Sequence, residues 1–281
     1  MLNINTNTGA IVAAKAAKNA QKMMDDAMIR LSTGKKLNSA KDDPGSLSVA
    51  IRMTAEINGL TTSLKNASDA QSAIDTGEAA LAEVHTLLIR LRELAVQAST
   101  ETTTSADRNA LDSEVSALET EIDRIGNSTT WGGINILNGT YSKANPIVFQ
   151  IGPNNGDTLS FTMGFVKATT TAAAQGTLGL SSDVTTRTNA SAYITTIDAA
   201  ISIVSTRRGS FGAISNRLDS TITNIRNMKA NIQTAKGQIE DTDYATETAN
   251  LAKAQILLQA ATAMLSQANA SKNLTMQLIN N

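Results

Sequence analysis

Apolar residues recur at steps of three and four over long stretches of this chain, the spacing by which one helix offers a stripe to another. The longest run is Ala67, Ala70, Ile74, Gly77, Leu81, Val84, Leu88, Leu91, Ala95 and Ala98, with no charged side chain in the seam. A helix carrying this run starts at Pro44, because proline is pre-organised for the first helical position and Asp43 can cap the exposed amides. Ending near residue 99, it spans roughly 80 Å at ~1.5 Å per residue. A repeat of seven follows near the other end at Ile197, Val204, Phe211, Leu218, Ile225, Ile232 and Ile239, helped by Ile214, Ile222, Met228 and Ala235. Between the two lies a shorter amphipathic helix with Leu111, Val115, Leu118, Ile122 and Ile125 on one side. The three seams can bury one another, which predicts helices at about 45–99, 105–126 and 190–239, closed into a bundle within one chain.

From about 127 to 189 the period changes. After Gly132, Gly133 and the Asn138-Gly139 turn signal, Ile147, Phe149 and Ile151 alternate with other residues, as do Leu159, Phe161, Met163 and Phe165. The link GPNNGD is turn chemistry, so a β-hairpin with one buried face is expected. Beyond it, ATTTAAAQGTLG is small, polar and glycine-containing, and predicts a loop.

Both ends carry further seams. Ala17, Ala20, Met24, Ala27 and Leu31 are spaced by three and four, and so are Leu251, Ala254, Leu258, Ala261, Leu265 and Ala268, so the two ends can pair as a terminal coiled coil. The rest of their surface is unusual. From Thr248 to Asn281 the charged residues are Lys253 and Lys272 alone, whereas residues 101–126 carry nine charged side chains in 26. A helix facing water normally has a charged face, and a lipid-spanning one needs about 20 predominantly apolar residues, a run that Gln259, Thr262, Ser266, Gln267 and Asn269 interrupt. The terminal pair is therefore expected to be surrounded by protein, which many copies of the chain can supply. Alone, the ends are expected to be partly ordered and to fold on assembly.

The stretch RLSTGKKLNSAKDDPG (30–45) separates the first helix from the second, because Gly34, Pro44 and Gly45 stop a continuous helix. Its Lys35, Lys36 and Lys41, opposite Asp42 and Asp43, are either solvated linker charges or contacts between subunits. These signals divide the chain into a terminal helix (1–34), a linker (35–44), a helical body (45–240) and a second terminal helix (241–281).

Composition narrows the function. The chain is 41% hydrophobic but 3% aromatic, with Trp131 its single tryptophan, so apolar area comes from Ala, Leu and Ile spread along long thin helices. A formal net charge of −1 without a basic block gives nucleic acid nothing to bind. The absence of cysteine excludes disulfides, thiolate metal sites and cysteine nucleophiles. The first residues lack a charged start followed by a continuous apolar stretch, so no secretory signal peptide is expected. His85 is the single histidine, which rules out an H-E-x-x-H zinc site. The glycines at 132, 133, 152 and 156 lack a strand-to-helix phosphate-loop context. Glu240, Asp241 and Asp243 suit a helix start, where carboxylates are favoured, better than a cation site. No catalytic constellation, metal or cofactor is expected.

At this point the residues resemble a known family. RLSTGKKLNSAKDDPGSLSVA (30–50), RLRELAVQAS (90–99), EIDRI (121–125), GAISNRLDS (212–220) and IEDTDYATETANLAKAQILLQAATAMLSQAN (239–269) are similar to bacterial flagellin, in that family's order. The resemblance implies a mainly α, self-assembling subunit of an extracellular helical filament for swimming motility. It implies an inner layer of discontinuous terminal helices and a second layer, a long antiparallel bundle or coiled-coil rod with a small β-hairpin. The large outer domains of many flagellins have no room here, so the chain resembles a minimal form. Export by the flagellar type III apparatus is implied, with an export chaperone on the C-terminal helix (roughly 242–281), and filament cap and hook-junction proteins as further partners. IRLRELAVQ resembles the segment recognised by Toll-like receptor 5. Arg90, Leu94 and Glu114 match the residues presented to that receptor, whereas Ile89 departs from the usual Gln. An inter-helix ion pair is the alternative role for Arg90 and Glu114. Because flagellins are often modified on exposed loops, Thr169, Thr170 and Thr171 are candidate O-glycosylation positions. Two rivals are a hook-filament junction protein, which shares flagellin-like ends, and a cytoplasmic signalling coiled coil of the chemoreceptor kind. The RELAVQ and C-terminal matches argue against the first, and the second predicts a charge-rich helical hairpin tip.

Overall fold

A computed structural model describes residues 6–141, 145–164, 166–168, 178–180 and 183–279, with side chains as far as 272. Its elements in chain order are α1 (Thr8–Thr33), α2 (Pro44–Ala98), α3 (Ser105–Ser128), β1 (Thr130–Trp131), β2 (Ile134–Asn135), β3 (Ile147–Gln150), β4 (Thr158–Phe161), α4 (Arg187–Glu240) and α5 (Tyr244–Ile279). Packing divides the chain into two units, one of Asn58–Lys229 and one of Met1–Ile57 with Ala230–Asn281. The borders therefore fall inside α2 and α4. The turns at 34–43 and 241–243 both lie within the second of these units.

The unit of Asn58–Lys229 is built on the seams. Every residue of the α2 run from Ala67 to Ala98 is buried, and Val115, Ile122 and Ile125 of α3 and Ile197, Val204, Phe211 and Leu218 of α4 join it. Leu111, Leu118 and Ile214 pack at the edge of this core half-buried. The α4 repeat does not stay in one core: Ile232 and Ile239 belong to the other unit and are half-buried there.

Polar pairs fix the direction of α4 on α2. Gln71 Nε2 donates to Ser215 Oγ at 2.6 Å, Arg208 forks onto Glu78 at 2.8 and 3.0 Å, and Arg92 Nε donates to Asp198 at 2.7 Å, so numbers rise on one helix as they fall on the other. The start of α3 is a capping box in which Thr104 and Asp107 satisfy each other's backbone amides. On its side facing α4, Glu119 accepts a 2.5 Å hydrogen bond from the Tyr193 hydroxyl. Burial raises the Glu119 carboxyl above its ordinary value, and burial together with that acceptor raises the Tyr193 phenol.

The expected hairpin is β3–β4, antiparallel, with Ile147 opposite Phe161 and Phe149 opposite Leu159. Leu159, Phe161 and Met163 are buried while Val148 is exposed, as alternation requires. The Phe149 ring stacks on Phe161 (5.7 Å) and meets the edge of Trp131 (6.1 Å). Phe165 lies outside the described residues. A second, two-residue hairpin, β1–β2, turns through Gly132 (φ 57°) and Gly133 (φ 81°). Two successive positive φ values suit the tight turn that matches strand twist.

The segment expected to be a loop after the hairpin has neither helix nor strand at its described ends, and those ends are anchored. Leu178 and Leu180 donate backbone bonds to Lys167 and Ala168, and both leucines are buried. Carboxylates of α3 hold it down: Asp123 accepts the Ala168 amide at 2.6 Å and Asp112 the Val184 amide at 2.9 Å. The approach is so close that a Cβ on Gly126 would stand 2.0 Å from the Val166 carbonyl oxygen. Glycine is required there.

Candidate assembly surface

The two terminal helices pack on each other, antiparallel, within one unit. At one end Asn7 caps α1, its side-chain oxygen accepting the Ala10 amide at 3.0 Å while Nδ2 donates to the Ala268 carbonyl at 3.1 Å. At the other, Gly34 closes α1 in the left-handed conformation (φ 70°) and its N–H returns to Arg30 O. Asp243 opens α5 by accepting the Ala245 amide and the Thr246 hydroxyl, which hold its carboxyl below the usual range. Helix capping thus accounts for Asp243, as it does for Asp43, which accepts the Gly45 and Ser46 amides at the start of α2.

Between these caps the two chain turns are stitched together. Lys36 N donates to Glu240 O at 2.7 Å, and Thr242 N to Gly34 O at 3.0 Å. Over this short antiparallel bridge, Lys35 pairs with Glu240, which Lys236 also reaches at 3.3 Å. The hydrogen bond from Lys35 is the main reason the Glu240 carboxyl lies below its ordinary value. Lys35 therefore has a partner within the chain. Asp42 is likewise occupied, accepting the Asn38 and Ser39 amides.

Of the expected seam positions, Ala20 and Ala27 on α1 and Ala254 and Ala261 on α5 are buried. Ala17, Met24, Leu31, Leu251, Leu258, Leu265 and Ala268 are half-buried at the same spacing. Two positions absent from the sequence reading extend the seams. Ala13 is buried on α1, and Glu247, 7% exposed, faces Arg30 at 3.6 Å across the pair. Both continue the three-four step, but an acidic residue does not register as a seam position.

Larger apolar side chains point outward. Ile11, Val12, Met23, Met28 and Ile29 on α1 and Ile256, Leu257 and Met264 on α5 are all exposed. Val12, Leu257 and Met264 contribute to an apolar groove of about 650 Å³ between the helices. The apolar positions buried most deeply are thus alanines, while larger apolar side chains keep much of their area in water. Among the described residues no helix is long and apolar enough to cross a membrane.

A second candidate surface lies on α2 and α3. Arg90 donates to Glu114 at 2.8 and 3.1 Å and to Glu93 at 3.1 Å, and the Glu114 hydrogen bond chiefly raises the guanidinium above its usual value. Arg90 and Glu114 are exposed, and Ile89 stands beside them 44% exposed. Leu94 does not join them. At 1% exposure its side chain belongs to the core, because a residue three beyond Leu91 turns toward α2's packing partners. It can support this surface but has no area to present. His85 is half-buried on α2. Thr169, Thr170 and Thr171 lie outside the described residues.

The chain is similar to known proteins over most of its length. Residues 4–142 match the family model described as the bacterial flagellin N-terminal helical region, and residues 194–279 match the bacterial flagellin C-terminal helical region. A flagellin of Halalkalibacterium halodurans is 38% identical over 253 residues, 90% of each chain. Flagellin B of Vibrio cholerae is 28% identical over an alignment of 376 residues covering 99% of each. That alignment is longer than the 281 residues of this chain, so the relative carries segments without counterpart here. Among solved structures, a putative flagellar hook-associated protein from Vibrio parahaemolyticus superposes with a TM-score of 0.58, covering 71% of this chain and all of that one, at 16% identity. At such identity the likeness speaks to the fold alone.

Proposed function

Since this chain belongs to the bacterial flagellin family and is a structural subunit of the flagellar filament, we propose that it polymerises through the outward faces of α1 and α5. The observation that carries this reading is the exposed apolar surface of the terminal pair, where the buried apolar positions are alanines and Ile11, Val12, Ile29, Ile256, Leu257 and Met264 stand in water. Apolar surface of that size is stabilised by leaving water. On α5, where Lys253 and Lys272 are the charged residues from Thr248 to Asn281, neighbouring copies can cover the face with few ions to desolvate, whereas α1 also carries exposed Lys15, Lys18, Lys22, Asp25 and Asp26. The half-buried leucines at 251, 258 and 265, with Ala17, Met24 and Leu31, fix how the pair presents that face. The role is structural, not catalytic.

The filament is extracellular in this reading, and the chain reaches it through the flagellar type III apparatus. An export chaperone holds roughly residues 242–281 beforehand, covering the same apolar face, and cap and hook-junction proteins meet the growing polymer. Arg90 and Glu114, with Ile89 at their flank and Leu94 beneath, form the surface for Toll-like receptor 5. Thr169, Thr170 and Thr171 are candidate glycan positions.

Seeded growth tests the central claim. Purified chain mixed with short filament seeds should extend them, whereas a hook-filament junction protein would not. Finding the intact chain in filaments sheared from cells would place it outside the cell, and its retention in the cytoplasm would sink the export reading.

A further inference from the structure

Assembly through α1 and α5 leaves one chemistry unused, that of the thioethers. The chain has nine methionines and no cysteine, so any sulfur reactivity belongs to methionine. Their exposure is uneven. Met163 is fully buried in the unit of Asn58–Lys229, and Met24 and Met53 are half-buried. Met23 and Met28 on α1 and Met264 on α5 are 44%, 46% and 64% exposed, and Met264 lines the apolar groove beside Val12 and Leu257.

We propose that Met23, Met28 and Met264 are oxidation sites at which sulfoxide formation by a peroxide halts polymerisation and enzymatic reduction restores it. The inference rests on the assembly reading above. A sulfur lone pair attacks one peroxide oxygen. The O–O bond breaks as an S–O bond forms, sulfur gives up two electrons, and the second oxygen leaves as water. A thiol-dependent methionine sulfoxide reductase runs the balance backwards: the oxygen departs as water while two reductase thiols become a disulfide. The oxidised side chain is polar and a strong hydrogen-bond acceptor. Sealing it against an apolar neighbour without a donor opposes assembly. Because the three sulfurs stand outside the seam, the α1–α5 pair itself keeps its packing.

The test treats folded chain with graded hydrogen peroxide, maps sulfoxides by peptide mass, and measures seeded elongation relative to the same protein untreated. Wild type carrying the three sulfoxides should elongate about tenfold more slowly or not at all, with Met163 still a thioether, and reductase treatment should return the rate. The variant Met23→Leu/Met28→Leu/Met264→Leu, close in volume, should keep its own untreated rate after the same dose. If it loses as much as wild type, the sensitivity lies elsewhere, at Met228 for example, and the proposal falls. It falls equally if triply oxidised wild type grows normally or if reduction restores nothing. Should the triple variant not fold, Met264→Leu alone must retain more growth than wild type after peroxide, or the inference is lost. Failure of untreated wild type to extend seeds is a separate outcome, and it would overturn the assembly reading itself.

Discussion

The same three-four spacing builds two opposite objects in this chain. Around Leu81, Leu88, Tyr193 and Phe211 it puts large side chains inside, with charged partners such as Arg208–Glu78 at the margin. Around Ala20, Ala27, Ala254 and Ala261 it puts the smallest side chains inside and leaves Ile11, Val12, Ile256 and Met264 in water. Spacing decides that helices pair, and residue size decides on which side the free energy of burial is collected. The first region completes its core alone; the second leaves apolar area exposed that burial would stabilise.

The largest way to break the comparison is to remove half of the unfinished region. Deleting residues 248–281 should abolish filament growth in a sedimentation assay while circular dichroism still reports a mostly helical monomer; normal filaments from this truncation would refute the assignment. Next, Leu258→Asp places a carboxylate in a half-buried seam position, where an unpaired ion costs about 3 kcal/mol or more. Seeded elongation should stop, with the unit of Asn58–Lys229 melting unchanged. In that finished core the matching experiment is Leu88→Ala, expected to cost about 2–5 kcal/mol as a fall in denaturant midpoint, with α1–α5 pairing retained by hydrogen exchange.

The smallest effects concern protons, and they differ in sign between the regions. Glu240 has a lowered carboxyl pKa, so its contribution is present above its unfolded value near 4.5 and disappears as pH falls through the folded value. Glu240→Gln should therefore weaken amide protection at the α1–α5 turns at neutral pH and make no difference in acid. Glu119 is raised by burial, so the folded state favours its protonated form and stability drains away as pH rises through the folded value. Glu119→Gln keeps an acceptor for Tyr193 and should raise the melting temperature slightly at neutral pH, an advantage that vanishes toward pH 4. Equal signs for the two substitutions would undo the contrast.

Much of the architecture is readable in the sequence because a heptad seam is a long, redundant signal: ten positions from Ala67 to Ala98 all point the same way, and each is buried. The Asp43-Pro44 start and the β3–β4 hairpin follow from equally local chemistry. Other features depend on partners far along the chain. Asp112 and Asp123 lie off the apolar stripe of α3 and carry no signal of their own in the sequence, yet they hold backbone amides of a segment some tens of residues later. The TLGL leucines look like loop residues until that segment is pinned across α3. Leu94 illustrates the same limit at the receptor-like surface: a family motif gives position, but which side chain has area to offer depends on how the third helix packs. On the terminal pair, spacing identifies the seam, whereas the identity of the outward residues shows that the face is unfinished.

The alanine seam also constrains how this chain can vary over generations. Alanine is the smallest good helix former, so Ala20, Ala27, Ala254 and Ala261 have nowhere smaller to go except glycine, which lowers helix propensity by about 1 kcal/mol. Any larger residue wedges the helices apart. Drift at those four positions is closed in both directions, and divergence between lineages should accumulate on faces where bulk is still negotiable.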